Sequence, residues 1–489
     1  MTYDLLIIGG GINGCAIARE AALGGLKVLL VEKDDLAGHT SSASTKLIHG
    51  GLRYLEYYEF GLVREALRER ERLLRAAPHL IEPMTFVLPM QHGGRPRWVI
   101  RAGLWLYDLL AGKSSLPRSR SLKAKDSVYI RQLKWPMKGF VYSDAWVDDA
   151  RLTLHNAIDA AETGAEIAPR TELTAAIRHG DHWQAMLSDG RSVTARGLVN
   201  ATGPWVAGTL DRIGVRTKNR VRLVKGSHIV VPRLYNGAQA YILQQPDGRI
   251  VFAINYLGYY TMVGTTDIPV DSPDDARIER DEVDYLCAAV NDYFSRHVGP
   301  DEVTSHWSGV RPLYDDGESD ASAVTREYKL ECDVDAAPVL SVFGGKITTA
   351  RALAEDALAK IGPPLGIDPR PMTRNRPFPG GAIPDFDRFL DSVRERWPFL
   401  GDSRSLRMAR AYGARLTEML DGIDSEAAMG RHFGSGLTEL EARWMQRREW
   451  AVTVEDALER RSKLGLLMSD EERAGFADWW MQSTEEAVA

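Results

Sequence analysis

The chain of 489 residues is too long for one hydrophobic core, so we expect two or three domains. Its net charge of −6 gives no reason to expect nucleic-acid binding. The three scattered cysteines argue against a disulfide framework or a zinc site and favour a reducing compartment, and we expect no metal. The sequence shows neither a signal-peptide pattern nor an apolar run near the roughly 18 residues that a membrane-spanning helix needs.

The first 32 residues have the pattern of a βαβ nucleotide-binding unit. An apolar run at 5–8 predicts a buried strand, a G-x-G-x-x-G motif and a helical pattern follow, and a second apolar run ends in an acid. Glycines let the backbone approach a pyrophosphate at a helix N-terminus, and the acid can hold a ribose. The motif alone does not distinguish NAD from FAD. The predicted cofactor contacts in this unit are Gly9, Gly11, Asn13, Gly14 and Glu32.

Residues 34–51 predict a long loop that is too polar for a core element. Its hydroxyl groups can donate to phosphate oxygens, and the His-Gly-Gly run at 49–51 lets the backbone pass close to a flat group. The alternative is a surface loop whose Ser and Thr residues cap turns. Beside a dinucleotide-binding unit we favour the first interpretation. The candidate cofactor contacts are Thr40, Ser41, Ser42, Ser44, Lys46, Gly50 and Gly51.

Two helical patterns follow this loop. Residues 57–76 predict a helix with an apolar stripe and a solvated charged face. Residues 95–110 predict a second helix, in which Trp98, Ala102, Trp105 and Leu109 share one face. Tryptophan with arginine suits a bilayer interface, whereas the alternative is an amphipathic helix packed on its own domain.

The middle of the chain changes from an α/β pattern to a β pattern. Residues 148–161 predict a helix, and a buried strand from residue 197 ends in small residues, of which Ala201 and Gly203 resemble a second nucleotide-contacting turn. From residue 226 onward, short runs of aromatic and β-branched residues predict a mostly antiparallel sheet, with His228 on its first strand. This sheet is typical of a substrate or cap domain.

The strand–glycine–helix pattern returns at 339–360. An apolar strand ends at Gly344-Gly345-Lys346, and a helix begins near Thr348. A helix N-terminus with a lysine predicts an anion site, and the alternative is a tight turn with a solvated lysine. Residues 362–384 hold seven prolines and four glycines and predict a linker or an extended strap. The remainder predicts helices, including a capping box at 469–472, without a catalytic constellation.

Several long motifs point to one family. Residues 40–56, 224–231, 264–267, 308–313 (Ser-Gly-Val-Arg-Pro-Leu) and 341–346 (Ser-Val-Phe-Gly-Gly-Lys) closely resemble the FAD-dependent glycerol-3-phosphate dehydrogenases. The similarity spans nearly the whole chain, including residues 456–461. It implies an α/β fold with a Rossmann-like FAD-binding domain, a mixed-sheet substrate or cap domain and an all-helical C-terminal domain. The implied segments are 1–75, 140–222 and 305–362 for the first, 76–139 and 223–304 for the second, and 385–489 for the third.

The resemblance also implies a reaction and a location. Members of the family oxidise sn-glycerol 3-phosphate to dihydroxyacetone phosphate, and FAD takes the hydride. In the bacterial respiratory members the electrons pass to membrane quinone, and the enzyme sits on the inner face of the cytoplasmic membrane without spanning it. This makes the interfacial interpretation of residues 95–110 equal to the packed one. A second copy of the chain, in a homodimer, is a further candidate partner.

The family's motifs assign roles to residues of this chain. Arg53, Arg311 and Arg326 match the active-site arginines, which suit a phosphate dianion, and Tyr54 lies beside the first of them. Lys346 matches the lysine near flavin and substrate. Oxidation at C2 requires a base for the hydroxyl proton. We favour His228 as the base, with His49 polarising or positioning the substrate, and the reverse assignment stays open. By the same resemblance, Ala201, Gly203, Gly345, Lys346 and Thr348 complete the cofactor contacts.

The chain departs from the family signature at a few positions. It has Ala16, Glu20 and Gly24 where Gly, Asp and Arg are usual, and Ala350 where Tyr is usual. These changes leave the FAD interpretation intact, but Ala350 bears on substrate size, so a longer polyol phosphate such as erythritol 4-phosphate is an alternative substrate. An O₂-using oxidase is disfavoured because oxidase relatives usually carry an insertion in the cap region. A non-catalytic binding module is disfavoured because the base candidate and the phosphate arginine are both present.

Overall fold

The computed structural model describes residues 2–90, 96–123, 125–134, 138–315 and 328–488. The strands in these ranges are β1 Thr2–Ile8, β2 Val28–Val31, β3 Leu47–Ile48, β4 Ile81–Pro89, β5 Arg120–Ser121, β6 Gly139–Val147, β7 Glu166–Ala168, β8 Leu173–His179, β9 His182–Leu187, β10 Ser192–Asn200, β11 Val221–Pro232, β12 Ala240–Gln244, β13 Ile250–Tyr256, β14 Tyr260–Gly264, β15 Ile268–Pro269, β16 Ser305–Tyr314, β17 Lys329–Asp333, β18 Val339–Phe343, β19 His432–Gly434 and β20 Leu437–Thr438. The α-helices are α1 Ile12–Leu23, α2 Phe60–Ala76, α3 Arg97–Ala111, α4 Ser127–Ile130, α5 Asp149–Glu162, α6 Val206–Arg212, α7 Arg280–Asn291, α8 Ala350–Ile361, α9 Phe386–Arg396, α10 Gly401–Tyr412, α11 Leu416–Met419, α12 Glu439–Arg448 and α13 Asp470–Val488.

The predicted βαβ unit forms the centre of the first sheet. Strand β1 runs parallel to β10 on one side and to β2 on the other, and the sheet order is β17-β18-β10-β1-β2-β7. Apolar residues of α1, α5 and α8 join one core on one face of this sheet, and β8, β9 and α6 contribute to a second core on the other. Strand β1 is therefore covered on both faces, as its continuous apolar run predicts. The carboxyl ends of β1, β2 and β10 meet at one edge, where open α/β sheets bind ligands.

The second sheet is mostly antiparallel, as the β pattern after residue 226 predicts. Its order is β15-β11-β14-β13-β12-β4-β6-β3, with β16 also pairing with β11 and β5 with β6. Strands β6 and β16 therefore belong to this sheet, although the predicted segments place them with the cofactor domain. The long β11–β16 ladder pairs His228 with Trp307 and Val224 with Arg311. This register brings two candidate site residues onto neighbouring strands.

The charged face of α2 is not solvated throughout, and the prediction is wrong on this point. Arg351 donates two hydrogen bonds to Glu69, at 2.6 and 2.7 Å, and Arg70 donates to Asp144 at 2.6 Å. All four side chains are buried. Buried charges need partners, and these partners lie on distant segments that the pattern of one helix cannot reveal.

Residues 362–384 form a fixed strap rather than a loose linker. The Glu20 carboxylate accepts hydrogen bonds from the backbone N–H groups of Met372 and Thr373, at 2.6 and 3.1 Å. Arg19 donates to the carbonyl oxygen of Pro377 at 3.1 Å. The strap is thus tied to α1 before the C-terminal domain begins.

The C-terminal domain is mainly helical, with one short hairpin that differs from the all-helical expectation. Strands β19 and β20 form a short hairpin, because Gly434 and Gly436 adopt positive φ angles of 102° and 79° between them. Residues Asp456–Arg461 form a short π-helix. The predicted capping box is confirmed, since Ser469 and Glu472 exchange backbone-to-side-chain hydrogen bonds of 2.9 and 3.2 Å.

Candidate functional site

Two adjoining clefts lie at the carboxyl edge of the first sheet. The cofactor cleft, of about 410 Å³, follows the ends of β1, β2 and β10. The substrate cleft, of about 240 Å³, lies between this edge and the second sheet. The residues that line both clefts are Ile12, Thr40, Ser41, Pro312, Gly344 and Gly345. The clefts therefore share a wall, as an elongated dinucleotide beside its substrate requires.

The glycine motif brings backbone against backbone at the floor of the cofactor cleft. A Cβ on Gly14 would lie 1.9 Å from the carbonyl oxygen of Gly9, and one on Gly9 would lie 2.6 Å from that of Ala201. Gly9 also has a φ of +109°. The Asn13 Oδ1 atom is buried in this floor without a hydrogen-bond partner among the described residues. Close backbone, an open helix N-terminus and an unused amide oxygen fit a pyrophosphate and ribityl chain.

Glu32 ends β2 at the side of the cofactor cleft, as predicted. Its carboxylate accepts hydrogen bonds from the backbone N–H groups of Gly10, at 2.6 Å, and Asp34, at 2.9 Å. Burial raises the pKa of the Glu32 carboxyl, while those two backbone donors oppose the rise. The fixed carboxylate lines the cofactor cleft, and a carboxylate in this position of a βαβ unit suits a ribose diol.

The hydroxyl-rich loop lies on the shared wall, but its residues divide into two groups. Thr40 and Ser41 line both clefts, and Ser41 Oγ accepts a hydrogen bond from the Ile12 N–H at 2.9 Å. Ser44 lines the substrate cleft and donates to Asp149 at 2.7 Å. Ser42 lines neither cleft and donates to the carbonyl oxygen of His39.

Lys46 is not at the cofactor cleft in this structure, contrary to the prediction. Its ammonium group is buried and lies 2.8 Å from Asp149 Oδ1 and 3.0 Å from the carbonyl oxygen of Ser42. Asp149 also accepts from Ser44, so one buried carboxylate holds the loop from below. The lysine fixes the loop and lines neither cleft.

The segment after this loop places an aromatic ring on a lysine. Gly51 has a φ of +74°, and a Cβ there would lie 2.0 Å from the Tyr54 ring. Tyr54 lines the substrate cleft, with its ring centroid 4.0 Å from Lys346 Nζ. Gly50 donates to the Tyr107 hydroxyl and lines neither cleft. Arg53 is half-buried outside the lining of both clefts, and Arg326 lies outside the described residues.

His228 is buried at the side of the substrate cleft. Its Nε2 lies 3.0 Å from Thr45 Oγ1, whereas Nδ1 has no hydrogen-bond partner among the described residues. Burial, together with the charges of Lys46 and Arg311, lowers the pKa of His228 to about 3. A Cβ on Gly264 would lie 2.1 Å from the imidazole, so only glycine fits beneath the ring. The imidazole is neutral at neutral pH, and its lowered pKa makes it a weak base in the absence of substrate.

The other predicted substrate residues line the same cleft. Arg311 Nη2 lies 2.7 Å from Asp267 Oδ1 and donates to the Thr266 carbonyl oxygen at 2.8 Å. His49, Lys346 and Thr348 also line this cleft. Imidazole, guanidinium and ammonium groups thus converge on one cavity, which suits the binding of a phosphorylated alcohol and the removal of its proton.

Several lining residues are absent from the sequence-based set. Thr45 lies between two predicted contacts and holds His228, so the hydroxyl-rich run already contained its signal. Trp205 lines the cofactor cleft directly after the predicted Gly203 turn, with its ring 4.0 Å from Lys33 Nζ. Ala350 is buried in the core and lines neither cleft. The structure therefore gives no reason to connect Ala350 with a larger substrate.

Helix α3 exposes the face that its sequence predicts. Trp98, Trp105 and Leu109 are 74%, 60% and 59% exposed, while the opposite side of the helix is buried. The helix packs against the turn Leu52–Tyr57, which carries Tyr54 to the substrate cleft. We call the exposed set the aromatic surface; its members are Tyr57, Tyr58, Phe60, Trp98, Trp105 and Leu109. Among the described residues, no helix combines the length and the hydropathy that crossing a membrane requires.

Known proteins resemble the chain over almost its full length. Residues 4–354 match the family model of the FAD dependent oxidoreductases. The chain is 47% identical to D-erythritol 1-phosphate dehydrogenase of Brucella abortus, over 98% of each chain. It is 44% identical to the aerobic glycerol-3-phosphate dehydrogenase of Escherichia coli, covering 100% of this chain and 99% of the relative. The glycerol-3-phosphate dehydrogenase of Bacillus halodurans, solved with FAD, matches with a TM-score of 0.74 and 26% identity, over 98% and 94% of the two chains.

Proposed function

Since the chain belongs to the family of FAD-dependent oxidoreductases, we propose that it oxidises sn-glycerol 3-phosphate to dihydroxyacetone phosphate and passes the electrons to membrane quinone. One observation carries the proposal: His228, Arg311 and Lys346 line a single cleft that shares a wall with the cofactor cleft. A base, a planar cation and a point cation are the groups that this reaction needs beside a flavin.

The phosphate of the substrate is held by the cations of the cleft. The guanidinium of Arg311 presents a planar fork, and Asp267 together with the Thr266 carbonyl fixes its orientation. Lys346 adds a second positive charge. It directly precedes the turn Ile347–Thr349, which leads into α8. Two fixed cations are the usual minimum for a dianion, so the polar end of the substrate is oriented before the reaction.

His228 removes the proton from the C2 hydroxyl, and His49 positions that hydroxyl in the cleft. The neutral imidazole accepts the proton, while Thr45 holds the ring through Nε2. When bound, FAD supplies a two-electron acceptor that takes the hydride from C2. Burial is the main cause of the lowered pKa of His228, and a phosphate dianion beside Arg311 would offset only the smallest cause, the charge of that guanidinium.

Erythritol phosphate is a second candidate substrate. The relative from Brucella abortus is named for it and shares 47% identity over almost the whole chain. Both substrates present a hydroxyl-bearing carbon next to a phosphorylated one, so the same base and cations serve either. The two candidates differ by one hydroxyl-bearing carbon.

Quinone reduction places the protein at a bilayer surface. The aromatic surface carries Trp98 and Trp105, residue types that suit the membrane interface. One turn, Leu52–Tyr57, joins this surface to the substrate cleft through Tyr54. We therefore expect peripheral binding through α3 to the inner face of the cytoplasmic membrane, with the electron acceptor arriving from the lipid.

The substrate proposal is tested by anaerobic titration of the purified yellow protein. Glycerol 3-phosphate should bleach the flavin absorbance at a rate that matches turnover with a soluble quinone. Faster bleaching by D-erythritol 1-phosphate would show that this compound, and not glycerol 3-phosphate, is the preferred substrate. A protein that neither compound bleaches would be a binding module, and stoichiometric peroxide in air would make it an oxidase.

The membrane proposal is tested by flotation with anionic lipid vesicles. The double variant Trp98→Ala, Trp105→Ala should lose vesicle binding and quinone reductase activity in membranes, while flavin bleaching in solution is retained. Ile177→Ala is the matched control, because Ile177 is a 62% exposed apolar residue on β8, on the other sheet. Equal flotation of the double variant and the wild type would return α3 to the packed interpretation.

A further inference from the structure

The π-helix Asp456–Arg461 carries a charged motif that the proposed function does not use. Asp456, Arg460 and Arg461 have side chains that are 0%, 20% and 2% exposed. Charges buried this deeply require opposite charges as partners. None of the three residues lines the cofactor cleft or the substrate cleft.

The two arginines bind the loop that follows β2. Arg461 donates to both carboxylate oxygens of Asp35, at 2.5 and 2.7 Å, and Arg460 donates to the same carboxylate at 2.6 Å. Asp35 is buried, and the next residues of its loop, 37–41, line the cofactor cleft. The Ala37 N–H in turn donates to the Gly10 carbonyl oxygen at 3.0 Å. The C-terminal domain thus fixes one wall of the cofactor cleft through a single carboxylate.

The aspartate of the motif binds a second loop on the other side. Arg170 donates to both oxygens of Asp456, at 3.0 and 2.8 Å. The backbone N–H of Arg170 donates to the Asp34 carbonyl, and that of Thr171 donates to the Glu32 carbonyl, at 2.8 and 2.7 Å. Thr171 and Glu172 line the cofactor cleft beside Glu32. The same six-residue helix therefore holds two loops that flank the predicted ribose position.

We propose that the C-terminal domain acts as a clamp that retains FAD, with Asp456, Arg460 and Arg461 as positioning residues for the two loops around its adenosine half. They touch neither cofactor nor substrate and act through Asp35 and Arg170. The Arg461–Asp35 pair is bidentate and buried, and charged hydrogen bonds of this kind hold backbone positions within narrow limits. The clamp depends on FAD as the cofactor and is independent of which polyol phosphate is oxidised.

The test compares FAD release from two arginine variants of the holoenzyme. Arg461→Gln removes the ion pair with Asp35, in the loop that follows β2. Arg407→Gln removes a matched pair inside the C-terminal domain, where Arg407 binds both oxygens of Glu441 at 2.6 and 2.7 Å. Both variants should lower thermal stability, so stability alone does not distinguish them. The measurements are the rate of flavin fluorescence increase after dilution and the hydrogen exchange of residues 33–41 in the apoprotein.

Arg461→Gln should release FAD at least tenfold faster than the wild type and should lose exchange protection at residues 33–41. Arg407→Gln should stay within twofold of the wild type in both measurements. Equal acceleration in the two variants, or none in Arg461→Gln, would overturn the clamp. If Arg461→Gln does not fold, Asp35→Asn is measured instead, and unchanged FAD release in that variant would equally overturn it. Neither measurement uses substrate, so the outcome is separate from that of the proposed oxidation.

Discussion

The cofactor cleft and the substrate cleft share a wall but are built in different ways. The floor of the first consists of backbone atoms from short contiguous motifs, where a Cβ on Gly9 or Gly14 would strike a carbonyl oxygen. The second consists of side chains from β11, β16 and the turn before α8, such as His228, Arg311 and Lys346. FAD binding in the cofactor cleft should therefore be sensitive to added methyl groups. The reaction in the substrate cleft should be sensitive to the removal of functional groups.

The largest expected effect comes from a substitution in the substrate cleft that leaves the cofactor cleft intact. His228→Asn should slow flavin reduction by substrate by about 10²–10⁴-fold, the range for loss of a general base, with FAD content unchanged. Stopped-flow reduction under anaerobic conditions measures the rate, and flavin absorbance of the purified protein measures the content. His306→Asn, an exposed histidine on the adjacent strand β16, is the control. Normal reduction in His228→Asn together with loss in His49→Asn would reverse the two histidine roles.

The complementary prediction is a substitution that disturbs the cofactor cleft and leaves the substrate cleft intact. Gly14→Ala should weaken FAD binding by about 3 kcal/mol, or on the order of 100-fold, because its methyl group meets the Gly9 carbonyl oxygen. Equilibrium titration of the apoprotein with FAD measures this loss. The fraction that still holds FAD should be reduced by substrate at the wild-type rate. Gly61→Ala, on the open side of α2, should leave FAD affinity unchanged, and an equal loss there would remove the steric explanation.

The last expected effect concerns the pH dependence of stability and the buried imidazole. The pKa of His228 is lowered to about 3 by burial and nearby cations, so below its ordinary value near 6.5 the unfolded chain binds a proton that the folded chain does not. This histidine should therefore lower stability as pH falls from 6.5 towards 3, by at most about 1.4 kcal/mol per pH unit.

Urea unfolding of wild type and His228→Asn at several pH values isolates this contribution. His79, whose pKa is also about 3, is present in both proteins and cancels in the difference. The wild type should lose stability more steeply than the variant below pH 6.5, and the two should run parallel above it. Parallel curves over the whole range would contradict the lowered pKa.

Sequence patterns predicted the cofactor cleft better than the substrate cleft, because the cofactor contacts are contiguous. The βαβ unit, Glu32 and the Gly203 turn lie where their local patterns place them. The pairing of His228 with Thr45 depends on how two sheets meet, which no local pattern contains. The resemblance to a family supplied the role of His228, whereas Thr45 was absent from the sequence-based set.

The wrong predictions share one physical cause. Lys46 and the charged residues of α2 have side chains that are typical of solvated or ligand-binding positions. In the structure they form buried ion pairs with Asp149, Asp144 and Arg351, which are distant in sequence. A charge with a buried partner and a charge with a bound ligand look alike until the tertiary contacts are known.

The wall that both clefts share also makes the two ligands thermodynamically linked. Gly344 and Gly345 line each cleft, and Asn13 of the cofactor floor donates to the Gly344 carbonyl at 3.2 Å. By reciprocity, any free energy that a bound polyol phosphate adds to FAD binding is returned in full by FAD to the polyol phosphate. A substrate that strengthens FAD binding would therefore also stabilise the holoenzyme, and the fraction of apoprotein would rise when that substrate is scarce.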